Sequence, residues 1–256
     1  LKRSAKSTQR LTTDNRRLTT ENKYKRRLFI CSQLSEANSQ FTTHPLYCRS
    51  AVIFMTQLSV QTQSDLVQIN LGSLVHKPTD KEFYALCRAN PELRIEQTKE
   101  GDVIIMLPTY TETGNKNFRL TGELAIWAKQ NGEGEGFDSS TGFILPNGAK
   151  RSPDASWIRR KRWEALPAKA RRQFAHICPD FVVELRSRSD NLKKLKAKME
   201  EYMENGAQLG WLIDPRERKV QVYKPDEPVT ILTNPATISG DPVLPGFILQ
   251  MSAIWD

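Results

Sequence analysis

A single α/β domain over residues 76–256, a mixed β-sheet flanked by helices, is the fold that the sequence predicts. Two observations carry it. "FVVELR", a helix-patterned stretch ending in "KMEEYMENG", and "LGWLID" run strand, helix, strand, which is a crossover unit with parallel pairing. Hairpin signals add antiparallel strands: the turn Lys99-Glu100-Gly101 between "LRIEQT" and "DVIIMLP", and Asn147-Gly148 further on.

The elements follow in order. Thr79-Asp80-Lys81-Glu82 is a capping box that opens a helix through Ala89, and Asn90-Pro91 ends it. After the first hairpin, Leu120, Leu124 and Trp127 stand at i, i+4, i+7 and mark an amphipathic helix that stops before Gly132. Asn147-Gly148 then joins a strand around Phe143–Leu145 to one entered at Asp154. "RRKRWEALPAKARRQF" reads as a basic helical excursion interrupted at Pro167. The chain returns to the sheet with "FVVELR". The next helix carries the stripe Leu192, Leu195, Met199, Tyr202 and Met203, is capped by Ser189 or Asp190, and is closed by Gly206. "LGWLIDP" is a buried strand and "KVQVYKP" an alternating one beyond the turn at Pro215–Glu217.

The formal charge of +9 is local: residues 1–54 hold 11 Lys/Arg against 3 Asp/Glu, and the remainder holds 27 against 26. A basic total therefore gives no argument that the domain binds nucleic acid. Residues 1–54, rich in Thr, Asn, Lys and Arg, are too poor in apolar side chains to repay ordering and read as a disordered basic extension. The first methionine is Met55, which leaves open whether that extension belongs to the functional protein; residues 55–75 read as a linker. No apolar run approaches the ~20 residues that span a bilayer or forms a secretory core, so the expectation is a cytoplasmic protein with no membrane partner. Cys31, Cys48, Cys87 and Cys178, with His44, His76 and His176, show no zinc-ligand spacing.

The chemistry resides in two acids that interrupt otherwise apolar strands, Asp154 in "SPDASWI" and Glu184 in "FVVELR". Strands of one sheet could bring them together. Two carboxylates at ~4 Å repel by about 4 kcal/mol at an effective dielectric of 20, so a close pair needs a shared proton or a cation. Mg²⁺ takes oxygen ligands of this kind together with substrate phosphate oxygens. An ion pair of Glu184 with Arg186 or Arg188 accounts for the pattern without chemistry, and spacing alone favours it.

The segments "FDSSTGFILPNGAKRSPDASWI", "CPDFVVELRSRSDNLKKLKAKMEEYMENGAQLGWLIDP" and "VLPGF" resemble the Uma-two family, restriction-endonuclease-like proteins of the PD-(D/E)XK nuclease superfamily, over roughly residues 76–256. The resemblance implies a PD-(D/E)XK restriction-endonuclease-like mixed sheet and Mg²⁺-dependent hydrolysis of DNA phosphodiester bonds, with Mn²⁺ as a substitute. Asp154 and Glu184 match the motif acids, and the backbone carbonyl of Leu185 joins them as a metal ligand. The usual E-x-K lysine is absent, because the chain reads Glu184-Leu185-Arg186. Arg stays protonated and transfers protons poorly. The resemblance instead matches Lys198 on the following helix as the catalytic lysine; helical spacing places Lys198 and Lys196 on opposite borders of the apolar stripe and does not choose between them.

Glu112 aligns with a further metal-proximal acid, or is merely an acid favoured at a helix N-terminus. Arg186, Arg159 and Arg160 are candidate nucleic-acid contacts, the last two on a basic face that a solvated helix would also present. The expected function is a metal-dependent DNA endonuclease, with RNA and a homodimer left open. The alternatives are a nucleic-acid-binding or mobile-element accessory protein that keeps the fold without turnover, and an interaction module in which Glu184 is a structural ion-pair partner.

Overall fold

The structure, a computed structural model, describes residues 60–63, 66–69 and 77–256; the extension over residues 1–54 lies outside them. In chain order the elements are β1 (Val60–Gln63), β2 (Leu66–Ile69), α1 (Asp80–Ala89), β3 (Arg94–Gln97), β4 (Val103–Met106), α2 (Thr111–Asn131), β5 (Gly134–Asp138), β6 (Phe143–Ile144), β7 (Lys150–Arg151) and β8 (Ala155–Arg159). They continue with α3 (Arg160–Glu164), β9 (Ala175–His176), β10 (Phe181–Leu185), α4 (Leu192–Glu204), β11 (Leu209–Asp214), β12 (Lys219–Tyr223), β13 (Thr230–Thr233), β14 (Thr237–Ser239), β15 (Ile248–Gln250) and α5 (Ser252–Trp255). No helix among the described residues is long and apolar enough to cross a membrane.

The central sheet has the order β13-β12-β11-β10-β8-β5. β10 and β11 pair in parallel, joined by α4, and every other neighbour in this sheet is antiparallel. Side chains of a strand alternate between faces, and β10 shows the result. Phe181, Val183 and Leu185 join Leu120, Leu124 and Trp127 of α2 in one core, whereas Val182 joins Met199 and Tyr202 of α4 in another. Glu184 shares the face of Val182 and is thereby aimed at α4. Both faces of the sheet are covered, which is why β10 and β11 read as nearly continuous apolar runs.

A second sheet, ordered β1-β2-β4-β3-β7-β6-β9, stands beside the first. The stretch 55–75, expected as a linker, contributes two strands to it: β1 pairs with β2, and β2 with β4. The strands read VQTQ and LVQI, polar-rich and without strict alternation, a pattern that also suits a solvated connector. Thr79 forms the full capping box with Glu82 at the start of α1. At α4 the cap is Asn191, whose side chain accepts from the N–H groups of Lys193 and Lys194. Ser189 and Asp190, the expected caps, lie in the preceding loop, where Asp190 accepts from the Ser187 N–H at 2.7 Å.

Candidate active site

The pairing of β8 with β10 explains how residues thirty positions apart in sequence share a site. The strands are antiparallel, with Ala155 opposite Val183, so the entry to β8 lies beside the exit from β10. Asp154, one residue before β8, donates its N–H to the Val183 carbonyl at 3.0 Å. Its Oδ2 accepts from the Leu185 N–H at 2.8 Å, so the side chain continues the ladder where the backbone leaves it. Asp154 is thus fixed by the edge of the sheet. Burial holds its carboxyl above the ordinary range, against the opposing pull of the Leu185 N–H, Lys198 and Arg94.

Glu184 is 4% exposed. Its Oε1 accepts from the Tyr202 hydroxyl at 3.1 Å and lies 2.8 Å from Lys198 Nζ. Burial pushes the Glu184 carboxyl up to about 8; Lys198 opposes this, and the charges of Asp154 and Glu96 add to it. Burial also pulls the Lys198 ammonium down, but Glu184 and Glu96 outweigh it, so the lysine is held above its ordinary value and stays charged. Lys198 and Tyr202 are one helical turn apart on α4, which lets one face of the helix present both groups to one carboxylate.

Glu96, on β3, is the functional candidate that sequence reasoning missed. It is 3% exposed, and its Oε1 accepts from Lys198 Nζ at 2.9 Å and from the Ser152 N–H at 2.8 Å. Its Oε2 meets Arg151 Nη1 at 3.2 Å, and Arg151 Nε in turn donates to Glu201 Oε2 at 2.6 Å. Asn147, in the predicted turn, donates to the other Glu201 oxygen at 3.0 Å. Burial raises the Glu96 carboxyl, but Lys198 and Arg151 outweigh it and hold the group below its ordinary value. A signal for Glu96 existed in "LRIEQ". It stands at alternate spacing from the inward-facing Ile95 and Gln97, a charge set into a strand just as Glu184 is.

These groups line one cleft of about 570 Å³ between the β3–β4 hairpin, the start of α2, the ends of β8 and β10, and α4. Asp154, Glu184, Leu185 and Lys198 all border it, and Lys196 does not. Four other expectations fall outside. Glu112 lies in the first turn of α2 with 68% of its side chain exposed and pairs with Lys116 at 2.9 Å, as an acid favoured by the helix N-terminus does. Arg186 is bound to the buried Asp214 across the parallel pair β10 and β11, which removes it from the cleft. Arg159 and Arg160 sit at the far end of β8 from Asp154, more than about 15 Å away at ~3.3 Å per residue. There Arg160 pairs with Glu135 at 3.2 Å, and the Arg159 N–H donates to Asp180.

The donor set suits Mg²⁺. Among the described residues neither Asp154 Oδ1 nor Glu184 Oε2 takes part in a hydrogen bond, and both residues border the cleft. Among the described residues no three His, Cys, Asp or Glu side chains form a preformed cage. Mg²⁺ seldom uses one; it keeps several waters and takes one or two carboxylates, completing its shell with substrate oxygens.

Comparison with known proteins places the chain by family and by fold. The profile of the Uma2 family, described as "Putative restriction endonuclease", matches residues 80–252. Among solved structures, the chain is similar to a "putative nuclease belonging to DUF820 from Anabaena variabilis ATCC 29413", at 20% identity and a TM-score of 0.58, over 70% of this chain and 97% of that one. At this identity the likeness speaks for the fold. No curated protein matches the chain.

Proposed function

The chain belongs to the Uma2 family, and from that premise we propose that it is a Mg²⁺-dependent endonuclease that hydrolyses phosphodiester bonds of DNA, with Mn²⁺ able to substitute. One observation carries the reading: the buried Glu184 on β10 and the half-buried Asp154 at the entry to the adjoining β8 border one cleft, with a charged lysine 2.8 Å from Glu184. Asp154 Oδ1, Glu184 Oε2 and the Leu185 carbonyl are the atoms that would hold the cation. When bound, Mg²⁺ would polarise the scissile phosphate and lower the pKa of an attacking water.

The chain's own residues supply the rest. The Leu185 N–H and the Tyr202 hydroxyl hold Asp154 Oδ2 and Glu184 Oε1, which leaves the remaining oxygen of each carboxylate available to a cation. Lys198 donates a hydrogen bond to the attacking water or to a phosphate oxygen on which charge develops, and Glu96 keeps its ammonium in place while it does so. The low exposure of Glu184 and Glu96 keeps these interactions in a medium where they are strong.

A second reading has its own support. Lys198 already neutralises Glu184, so the network Glu184–Lys198–Glu96–Arg151–Glu201 could be a structural ion-pair cluster in a protein that binds nucleic acid without cutting it. Calorimetric titration with Mn²⁺, alongside nicking of supercoiled plasmid, separates the two. The nuclease reading expects binding and nicking that both vanish in Asp154→Asn and Glu184→Gln. A wild-type protein that takes up no Mn²⁺ and leaves plasmid intact would establish the second reading.

A further inference from the structure

Most of the cations around the cleft floor are already committed. Arg151 holds Glu96 and Glu201, and Lys198 holds Glu96 and Glu184. Arg94 is different. It stands two residues before Glu96 on β3, so strand alternation turns both side chains to the cleft, together with Ile104 and Met106 of β4. Ile95 and Val103 face the other way and pack with Phe83. Among the described residues Arg94 makes no side-chain hydrogen bond or ion pair, and its Nε is buried with no partner.

The nearest acids do not claim it. Its charge is felt at Asp154, and also at Asp138, which is held down first by Ser140, yet it lies within ion-pair distance of neither. An unpaired guanidinium in a partly enclosed cleft gives up hydration for no counter-charge, a cost that a bound anion would offset. Its planar fork of N–H donors suits the two non-bridging oxygens of a phosphodiester. The neighbours fit such a guest. Ser139, Thr113 and Asn117, whose hydroxyl and amide N–H groups can donate to a phosphate, also line the cleft.

We propose that Arg94 is a substrate-binding residue whose guanidinium takes a backbone phosphate of the nucleic-acid strand lying in the cleft beside Asp154. This rests on the nuclease reading and gives to Arg94 the contact that Arg186, tied to Asp214, does not make. A residue on β3 thereby links the second sheet to substrate, while β8 and β10 hold the reacting centre.

The test is fluorescence anisotropy of labelled duplex and single-stranded oligonucleotides in EDTA, so that affinity is read without turnover, across about 50 to 200 mM salt. Arg94→Gln is expected to weaken binding about tenfold and to flatten the plot of log affinity against log salt by about 0.9 for duplex, or about 0.7 for a single strand. Arg94→Lys should keep the slope, because it keeps the charge, and lose part of the affinity with the fork. Melting temperatures equal to wild type for the variant that carries the effect exclude unfolding as its cause. If the wild type binds while both variants match it in affinity and slope, Arg94 serves only to support Asp154; the proposal falls and the nuclease reading stands. A wild type that binds neither oligonucleotide overturns both.

Discussion

Lys198 is shared between two acids, 2.9 Å from Glu96 Oε1 and 2.8 Å from Glu184 Oε1, and this sharing sets what its removal does. An ammonium is not a ligand for a cation, so Lys198→Ala should leave Mn²⁺ affinity intact while single-turnover cleavage falls by about 10²-fold or more, as expected for loss of a group that stabilises transition-state charge. Lys196→Ala, outside the cleft, should cut normally. Normal cleavage by Lys198→Ala at saturating Mn²⁺ would remove the lysine from the mechanism. Glu96→Gln should keep Mn²⁺ affinity and slow cleavage less, since the amide oxygen still accepts from Lys198 but no longer holds it by charge. Asp154 and Glu184 are legible in the sequence because each breaks an apolar run, a placement that is costly without a partner. Glu96 bears a weaker form of the same mark in a shorter strand, and its partners Lys198 and Arg151 are 102 and 55 residues distant. Arg186 misleads because its partner lies on the neighbouring parallel strand, where only the register of Leu185 with Ile213 brings Asp214 alongside.

Helix α4 carries Lys198 and Tyr202 to the site, and its position depends on how it starts and on what it rests against. Asn191→Ala removes the acceptor for two first-turn N–H groups and should lower stability by about 1 kcal/mol, measured by denaturant unfolding. The strand beside Asp154 is less forgiving. A Cβ at Gly134 would stand 2.3 Å from the Ile158 carbonyl oxygen and 2.3 Å from the Trp157 ring, and a backbone oxygen in a ladder has nowhere to go. Gly134→Ala should therefore cost at least about 1–3 kcal/mol, and wild-type stability in that variant would show β5 able to peel away. The elements the sequence discloses are those with strong local signals: the Thr79 box, the stripe of α2 ending at Gly132, the β10–α4–β11 crossover and the Asn147-Gly148 turn, although that turn joins β6 to β7 in the second sheet and not to the strand entered at Asp154. Beyond β6, which the sequence marks around Phe143–Leu145, the two-residue strands β7 and β9 have no period to read, and β14 with β15 is short and set among loops. Such strands are defined by their pairing partners, as β9 is by the distant β6.

The complete domain encloses acids of opposite tendency, and its stability should register them through pH. Glu184 is raised from its ordinary 4.5 to about 8, first by burial, so the folded chain binds that proton more tightly than the unfolded chain does. Its contribution to stability is fully present below pH 4.5 and is lost as pH rises toward 8. Asp154, also raised by burial, acts in the same direction above its ordinary 3.8. Glu96 is lowered and acts in the opposite sense: its contribution is present above 4.5 and disappears as pH falls below that value. Lys198, raised above 10.5, titrates outside the window. The metal-free protein should therefore lose thermal stability between about pH 5 and pH 8. The loss is at most about 1.4 kcal/mol per pH unit from Glu184, or about 3–6 °C in a domain of this size. A divalent cation held by Asp154 and Glu184 takes the place of the proton, so Mn²⁺ should stabilise the protein more at the alkaline end than at the acid end, by about 2.7 kcal/mol at a hundredfold excess over its Kd. Glu184→Gln provides the control: it removes the titrating group, should flatten the melting temperature across the window, and should abolish the extra Mn²⁺ effect at high pH. Scanning calorimetry of both proteins at the two ends of the window, with and without Mn²⁺, decides the matter. Equal Mn²⁺ stabilisation of wild type and Glu184→Gln would place the cation away from the paired carboxylates, and a wild-type melting temperature that rises over the window would mean that Glu184 is ionised in the folded protein well below pH 8.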